Sequence, residues 1–187
     1  MTAPTQTEHR TAPASGTWDL DPAHSDLRIT ARHLMVTKVR GTFREIEGTI
    51  VVAEDPLESS VEIEAKASSV STGVADRDEH LRSPDFLNAD GFPIVRFEST
   101  SIARERDSWK LTGDLTIRGT TRSVTWDLAF EGSASDPYGN TKAAFVATGA
   151  INREEFGLTW NVPLEGGGVL VSKEFQVEFD VQATLRS

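Results

Sequence analysis

The sequence predicts an all-β fold, an eight-stranded antiparallel barrel with a short helical cap, and three features carry that prediction. Apolar and polar side chains alternate with period two in one segment after another from Trp18 onward. Gly, Pro, Asp and Asn turns bound those segments. There are about eight of them, and eight antiparallel strands of roughly 8–10 residues suit a closed barrel, which has no exposed edge and an interior about wide enough for one small ligand. A two-layer sandwich of the same strand count is the alternative.

The first strand is read from DLRITARH, where Leu27, Ile29 and Ala31 share one face and Arg28, Thr30 and Arg32 the other. IEGTIVV turns Ile46, Gly48, Ile50 and Val52 inward; Phe43 has the opposite parity to Ile46, which predicts a β-bulge between them. VEIEAKA, the cleanest alternation, sets Val61, Ile63, Ala65 and Ala67 against Glu62, Glu64 and Lys66. IVRFES contributes Val95 and Phe97. WKLTGDLTI places Trp109, Leu111, Gly113, Leu115 and Ile117 inward, and a turn around Arg118, Gly119 and Thr120 leads into VTWDLAF with Val124, Trp126, Leu128 and Phe130. After DPYGN comes AAFVATGAI, with Ala143, Phe145, Ala147, Gly149 and Ile151. The last strand, VLVSKEFQVEFDVQA, carries Val169, Val171, Phe175, Val177, Phe179 and Val181, with a phase change near Ser172 and Lys173.

A helical interruption falls between the third and fourth strands, in RDEHLRSPDFLN. Arg77 to Leu81 reads as one helical turn that starts near Asp76 or Arg77. Ser83 and Pro84 read as the cap and first position of a second turn carrying Asp85, Phe86 and Leu87.

At 187 residues one domain is expected. Residues 1–15 form a flexible arm, because their Thr-, Pro- and Ala-rich composition buries too little surface to offset the entropy of ordering, and residues 16–187 form the barrel. The net charge of −10, from 29 acidic and 19 basic side chains, repels nucleic-acid phosphates and the anionic face of a bilayer, so neither is the expected partner of the surface as a whole. Cysteine is absent, which excludes disulfides and thiolate metal sites. The amino terminus lacks the apolar run of a secretory signal, and no stretch reaches the ~18 apolar residues of a membrane span; a soluble, cytoplasmic protein without a transmembrane segment is expected.

Acid, base and nucleophilic catalysis need titratable groups inside a cleft, and the inferred inner face has almost none along its strand centres. That face mixes large rings such as Trp109, Trp126 and Phe145 with very small residues such as Ala65, Gly113, Ala147 and Gly149. Two readings fit: small residues leave room for a guest, or small and large residues alternate to fill the taper of the barrel. A guest would be long and apolar, since each buried methylene contributes ~0.8 kcal/mol and about ten give ~8 kcal/mol before ordering costs, roughly micromolar binding.

In the cap, Arg77, His80 and Arg82 offer guanidinium forks and an imidazole to a polar head group at the barrel mouth. In the structural alternative Arg77 pairs with Asp78, His80 bonds a backbone carbonyl, and Leu81, Phe86 and Leu87 plug the barrel end. His24, His33 and His80 match no short metal motif, so no metal or other cofactor is expected. Ser25 lies beside His24, but adjacent residues rarely set a nucleophile and its base face to face, and GxSxG is absent. The glycines of LEGGGVLV lack the GK[ST] ending of a phosphate loop and precede a strand, which makes them a hairpin loop or hinge.

Read in order, LDPAHS, RHLMVTKVRGTF, RDEHLRSPDFL ahead of FPIVRF, GDLTIRGTTRSV, and NREEFGL before the glycine loop resemble the YceI-like family of polyisoprenoid-binding proteins, from about Trp18 to Leu185. The resemblance implies a lipocalin-like, extended eight-stranded barrel with a helical cap, whose interior takes a long isoprenoid or similar amphiphile. It also implies a binder, not an enzyme, and it favours the cavity over the filled core.

The expectation is a carrier or store for an isoprenoid or fatty-chain lipid, held against Ile50, Leu111, Trp126, Phe130, Phe145 and Phe179, with His80 and Arg82 at a polar mouth. One rival is an enzyme at the mouth, with His24 or His80 as general base oriented by a neighbouring Asp. The other is a filled barrel whose outer patch recruits a partner or forms a homodimer.

Overall fold

In the computed structural model, which describes residues 12–165 and 167–186, the alternation becomes one antiparallel sheet of eleven strands. In chain order they are β1 (Gly16–Leu20), β2 (Asp26–His33), β3 (Thr37–Phe43), β4 (Ile46–Val52), β5 (Ser60–Lys66) and β6 (Val70–Ser71). The helix α1 (Ala75–Arg82) follows, and then β7 (Ile94–Glu105), β8 (Ser108–Ile117), β9 (Thr120–Ser135), β10 (Thr141–Asn152) and β11 (Glu174–Leu185).

The sheet closes on itself in the order β1-β4-β5-β7-β8-β9-β10-β11 and back to β1, where Trp18 lies opposite Leu185 and Leu20 opposite Ala183. On that same edge β11 also holds β2, with Leu27 opposite Phe179. β1 and β2 are therefore two halves of one bent strand. β3 and β4 form a second such strand, and β5 and β6 a third, so that the ring counts eight bent strands with β2, β3 and β6 extending its wall at one end. Two local devices make the bends. Phe43 and Ile46 are both buried, so the two residues between them bulge outward, Arg44 N reaching Ser69 O and Glu45 O receiving Lys66 N. At the β1–β2 corner the Ser25 hydroxyl donates to Gln182 O and accepts from Gln182 N, standing in for the strand pairing that the bend interrupts.

Alternation sorts the side chains as the sequence predicts. Trp18, Leu27, Ile63, Phe97, Leu111, Trp126 and Ala183 are buried inside. Outside, Arg96 reaches Glu62 across to β5 and Glu98 on its own strand, and Arg28 reaches Glu178 across to β11 and Asp26 on its own strand.

The strands β1, β3 and β6 are absent from the sequence expectation, which starts at DLRITARH, and three further elements differ from it. The last strand starts at Glu174; Val169 and Val171 make only isolated bridges, because the inward-turned Ser172 takes Arg32 N on its hydroxyl and donates to Glu174 O, diverting the chain before the strand begins. The second helical turn of the cap is a hydrogen-bonded turn, and Ser83 closes α1 instead of opening a new helix, its N–H reaching Glu79 O and His80 O. Of the predicted arm, residues 1–11 lie outside the described residues. Residues 12–15 lie against the barrel, where Ala14 O accepts from the indole N–H of the fully buried Trp18. No helix among the described residues is long and apolar enough to cross a membrane.

Two predictions concern stability. Between β2 and β3, Leu34 and Met35 have φ of 53° and 58°, and Val36 N reaches His33 O. This is the geometry of a type I′ turn, which favours Asn-Gly because each L side chain there costs roughly 1–2 kcal/mol. Both side chains are exposed, so Leu34→Asn combined with Met35→Gly is expected to raise unfolding free energy by about 1–2 kcal/mol in urea titrations.

Asp21, at the β1–β2 corner, has its carboxyl lowered from 3.8 to about 2. Burial opposes ionisation there, but hydrogen bonds from His24, Lys142 and the Ala23 amide outweigh it. Because the folded value is depressed, the stabilisation is full above the unfolded value and is lost as pH falls through about 2. Asp21→Asn is expected to cost about 1–2 kcal/mol at neutral pH, and its difference from the parent protein should vanish toward the acid end of a urea–pH series.

Candidate ligand-binding site

The interior is organised by three rings. Phe97 of β7 stacks on Trp126 of β9 with centroids 4.6 Å apart, and Phe179 of β11 leans on Trp126 at 5.0 Å. All three are buried. Glycine makes room for them: a Cβ on Gly149 of β10 would overlap the Trp126 ring, and one on Gly113 of β8 would fall 2.5 Å from Phe97 Cζ. Neither glycine has positive φ, so space is the requirement and not backbone freedom. The rings form a septum across the barrel, and Trp126 and Phe179 border a chamber on each side of it.

The far chamber has a volume of about 210 Å³, and all six wall residues expected from the sequence border it: Ile50, Leu111, Trp126, Phe130, Phe145 and Phe179. Ala12, Pro13 and Ser15 lie at its edge, and Glu54 is its one ionisable side chain among the described residues. The cap chamber is larger, about 270 Å³, and lies under α1 between β2, β3 and the start of β11. Leu81, Phe86, Leu87 and Trp160 close over it.

The two expected mouth residues separate. His80 borders the cap chamber, its ring edge-on to Phe86 and Trp160 and its Nε2 bonded to Asp85 Oδ2 at 3.0 Å. Arg82 does not border it; it donates to Val70 O at 3.0 Å. Helix geometry explains the difference, since residues three and four apart share a face. Arg77, His80 and Leu81 look into the chamber, while Asp78 and Arg82 look toward β6. Arg77 and Asp78 do not pair with each other; both bond Thr72, which donates its N–H and hydroxyl to Asp78 and accepts from Arg77 Nε. Burial opposes ionisation of Asp78, yet these bonds and the one from Ser71 hold its carboxyl below the usual carboxylate range.

A further basic residue is not among those singled out from the sequence. Arg153, in a 3₁₀ turn (Arg153–Phe156) after β10, borders the cap chamber and is 1% exposed. Its Nε donates to Ser172 O at 2.9 Å, its Nη1 to Leu158 O, and its guanidinium carbon lies 5.9 Å from the Phe175 ring centroid. Burial lowers its pKa. The alternation held the signal, because residue 153 continues the inward parity of Ala147, Gly149 and Ile151.

Each histidine of the rival enzyme reading has an acidic partner, His24 with Asp21 and His80 with Asp85. Among the described residues no serine or threonine hydroxyl bonds either ring, and Ser25 is committed to the backbone of Gln182. No group of three or more His, Asp or Glu side chains that could hold a metal ion is found among the described residues.

Comparison with known proteins agrees with this geometry. The family model for the YceI-like domain matches residues 18–183. UPF0312 proteins of Staphylococcus aureus are 36% identical over 170 residues, covering 88% of this chain and 95% of theirs. Among solved structures, Burkholderia cenocepacia BcnA superposes with a TM-score of 0.76 at 21% identity, covering 88% of this chain and 99% of that one. A polyisoprenoid binding domain from Saccharophagus degradans gives 0.68 at 13% identity, covering 90% and 98%.

The septum makes a prediction. Gly149→Ala should displace the Trp126 ring, and Gly113→Ala both the Phe97 ring and the Glu98 carbonyl, each lowering stability by about 1–3 kcal/mol. Thermal unfolding and the near-ultraviolet circular dichroism of Trp126 would report both effects.

Proposed function

The chain belongs to the YceI-like family, and from that premise we propose that it binds a long apolar ligand, a polyisoprenoid or similar amphiphilic lipid, inside the barrel as a carrier or store. The observation that carries this reading is the pair of apolar chambers placed in series, with only side-chain rings between them. Each chamber alone falls just below the ~300–1,000 Å³ of small-molecule pockets, and the two in series fall within that range. A chain longer than one chamber must pass the septum, so Trp126 and Phe179 turn aside when it binds. Water leaving the two chambers supplies the affinity, at roughly 25 cal/mol per Å² of apolar surface covered. The neighbour described as a polyisoprenoid binding domain supports the choice of ligand class. His80 stands where the chain's polar end would meet the cap.

Organic extraction and mass spectrometry of the purified protein are expected to recover a lipid. Added polyprenols should bind more tightly as they lengthen, and tryptophan emission should change once they are long enough to cross between chambers. Recovery of no lipid from several hosts, together with no uptake of any polyprenol, would falsify the carrier reading.

A further inference from the structure

Three buried side-chain nitrogen atoms have no hydrogen-bond partner among the described residues, and two of them, Arg153 Nη2 and Trp126 Nε1, belong to residues that border the cap chamber. The side chain of Arg153 is a buried cation whose hydrogen bonds go to two carbonyls and to no carboxylate. The acidic neighbour in sequence, Glu154, is turned to Lys173 at 2.9 Å. A guanidinium keeps its proton, so this charge stays inside the wall, and a buried charge with no carboxylate hydrogen-bonded to it is costly, Glu154 acting on it only through space.

The rest of the chamber repeats the asymmetry. Its ionisable lining is Arg32, His33, Arg77, His80 and Arg153, all basic, in a chain with 29 acidic and 19 basic side chains. Of the acidic groups of the cap, Asp78 and Asp85 are engaged by Thr72 and His80, and neither these nor Asp76 and Glu79 border the chamber. The far chamber, in contrast, has no basic side chain on its wall among the described residues.

From these observations, and resting on the carrier reading above, we propose that the cap chamber is the seat of an anionic head group, a carboxylate or phosphate, which accepts a hydrogen bond from Arg153 Nη2 while its chain runs past the septum into the far chamber. The amphiphile thus lies head toward the cap, with a buried anchor in place of a solvent-exposed one. A guanidinium whose third nitrogen is unpartnered among the described residues suits an oxyanion, and the low dielectric of the chamber strengthens the charge-assisted bond.

Matched probes test this on the full chain: oleate against oleyl alcohol, and farnesyl phosphate against farnesol, each followed by equilibrium dialysis. The parent protein is expected to bind each anion at least about tenfold more tightly than its alcohol. Arg153→Gln should bring oleate and farnesyl phosphate to the level of the alcohols, abolishing the preference for the anion. Because Arg153 also holds two carbonyls, Arg153→Lys, which keeps the charge, accompanies it and should retain the preference. The arms also separate the two head groups, since a preference confined to farnesyl phosphate assigns a phosphate and one confined to oleate a carboxylate. Equal binding of anion and alcohol by the parent protein overturns the anchor while the carrier reading stands; failure of all four probes, together with no uptake of longer polyprenols and no co-purified lipid, removes the carrier reading instead. A folded Arg153→Gln protein that keeps the preference places the anion on the outer arginines and overturns the assignment to Arg153.

Discussion

The stacking of Phe97, Trp126 and Phe179 across the barrel is the contact on which the rest of the interior depends. Eight strands enclose more space than their aliphatic side chains fill, and the rings hold the walls apart at mid-height while leaving volume above and below. Gly113 and Gly149 are the reciprocal half of that arrangement, because rings lying against a wall need wall positions without side chains. The same residues that would read as weak points in a filled core are what permit a divided, partly empty one. A septum made of side chains can also move, which a bend in the backbone cannot do without breaking strand pairs.

Closure depends on β11. It is long enough to pair with β10 along one edge and with both β1 and β2, end to end, along the other. The bends in the opposing strands let the wall continue past the ring of eight, and that extension creates the cap chamber. Ser25, Ser172 and the bulge at Arg44 and Glu45 each satisfy backbone groups that a bent strand would otherwise strand without partners. The hydroxyl beside His24, which invites a hydrolase reading in sequence, is spent on this structural task.

Charge is distributed in layers. Acidic side chains dominate outside, where they alternate with arginines across strands. Inside, the far chamber is apolar and the cap chamber is basic at its upper wall, so the cavity has a direction along its length. A guest with one polar end and one apolar end matches that gradient in a single orientation.

The closed barrel of eight, the place of the helix, the break in parity after Phe43 and the inward face of the six aromatic and aliphatic residues of the far chamber were legible in the sequence, because period-two alternation records burial directly and each strand reports its own inner face. Arg153 was legible by the same parity, yet a charged residue at an inward position reads as the end of a strand until its surroundings are known. What only the tertiary structure decided is which side chains meet. Arg77 and Arg82 are indistinguishable in sequence, and the roll of one short helix sends the first into the chamber and the second to Val70. The septum joins residues from β7, β9 and β11, and the unpartnered nitrogen of Arg153 is set by the packing of several strands at once. Such facts rest on contacts between distant parts of the chain, and a local repeat specifies the face a residue occupies but not the neighbour it finds there.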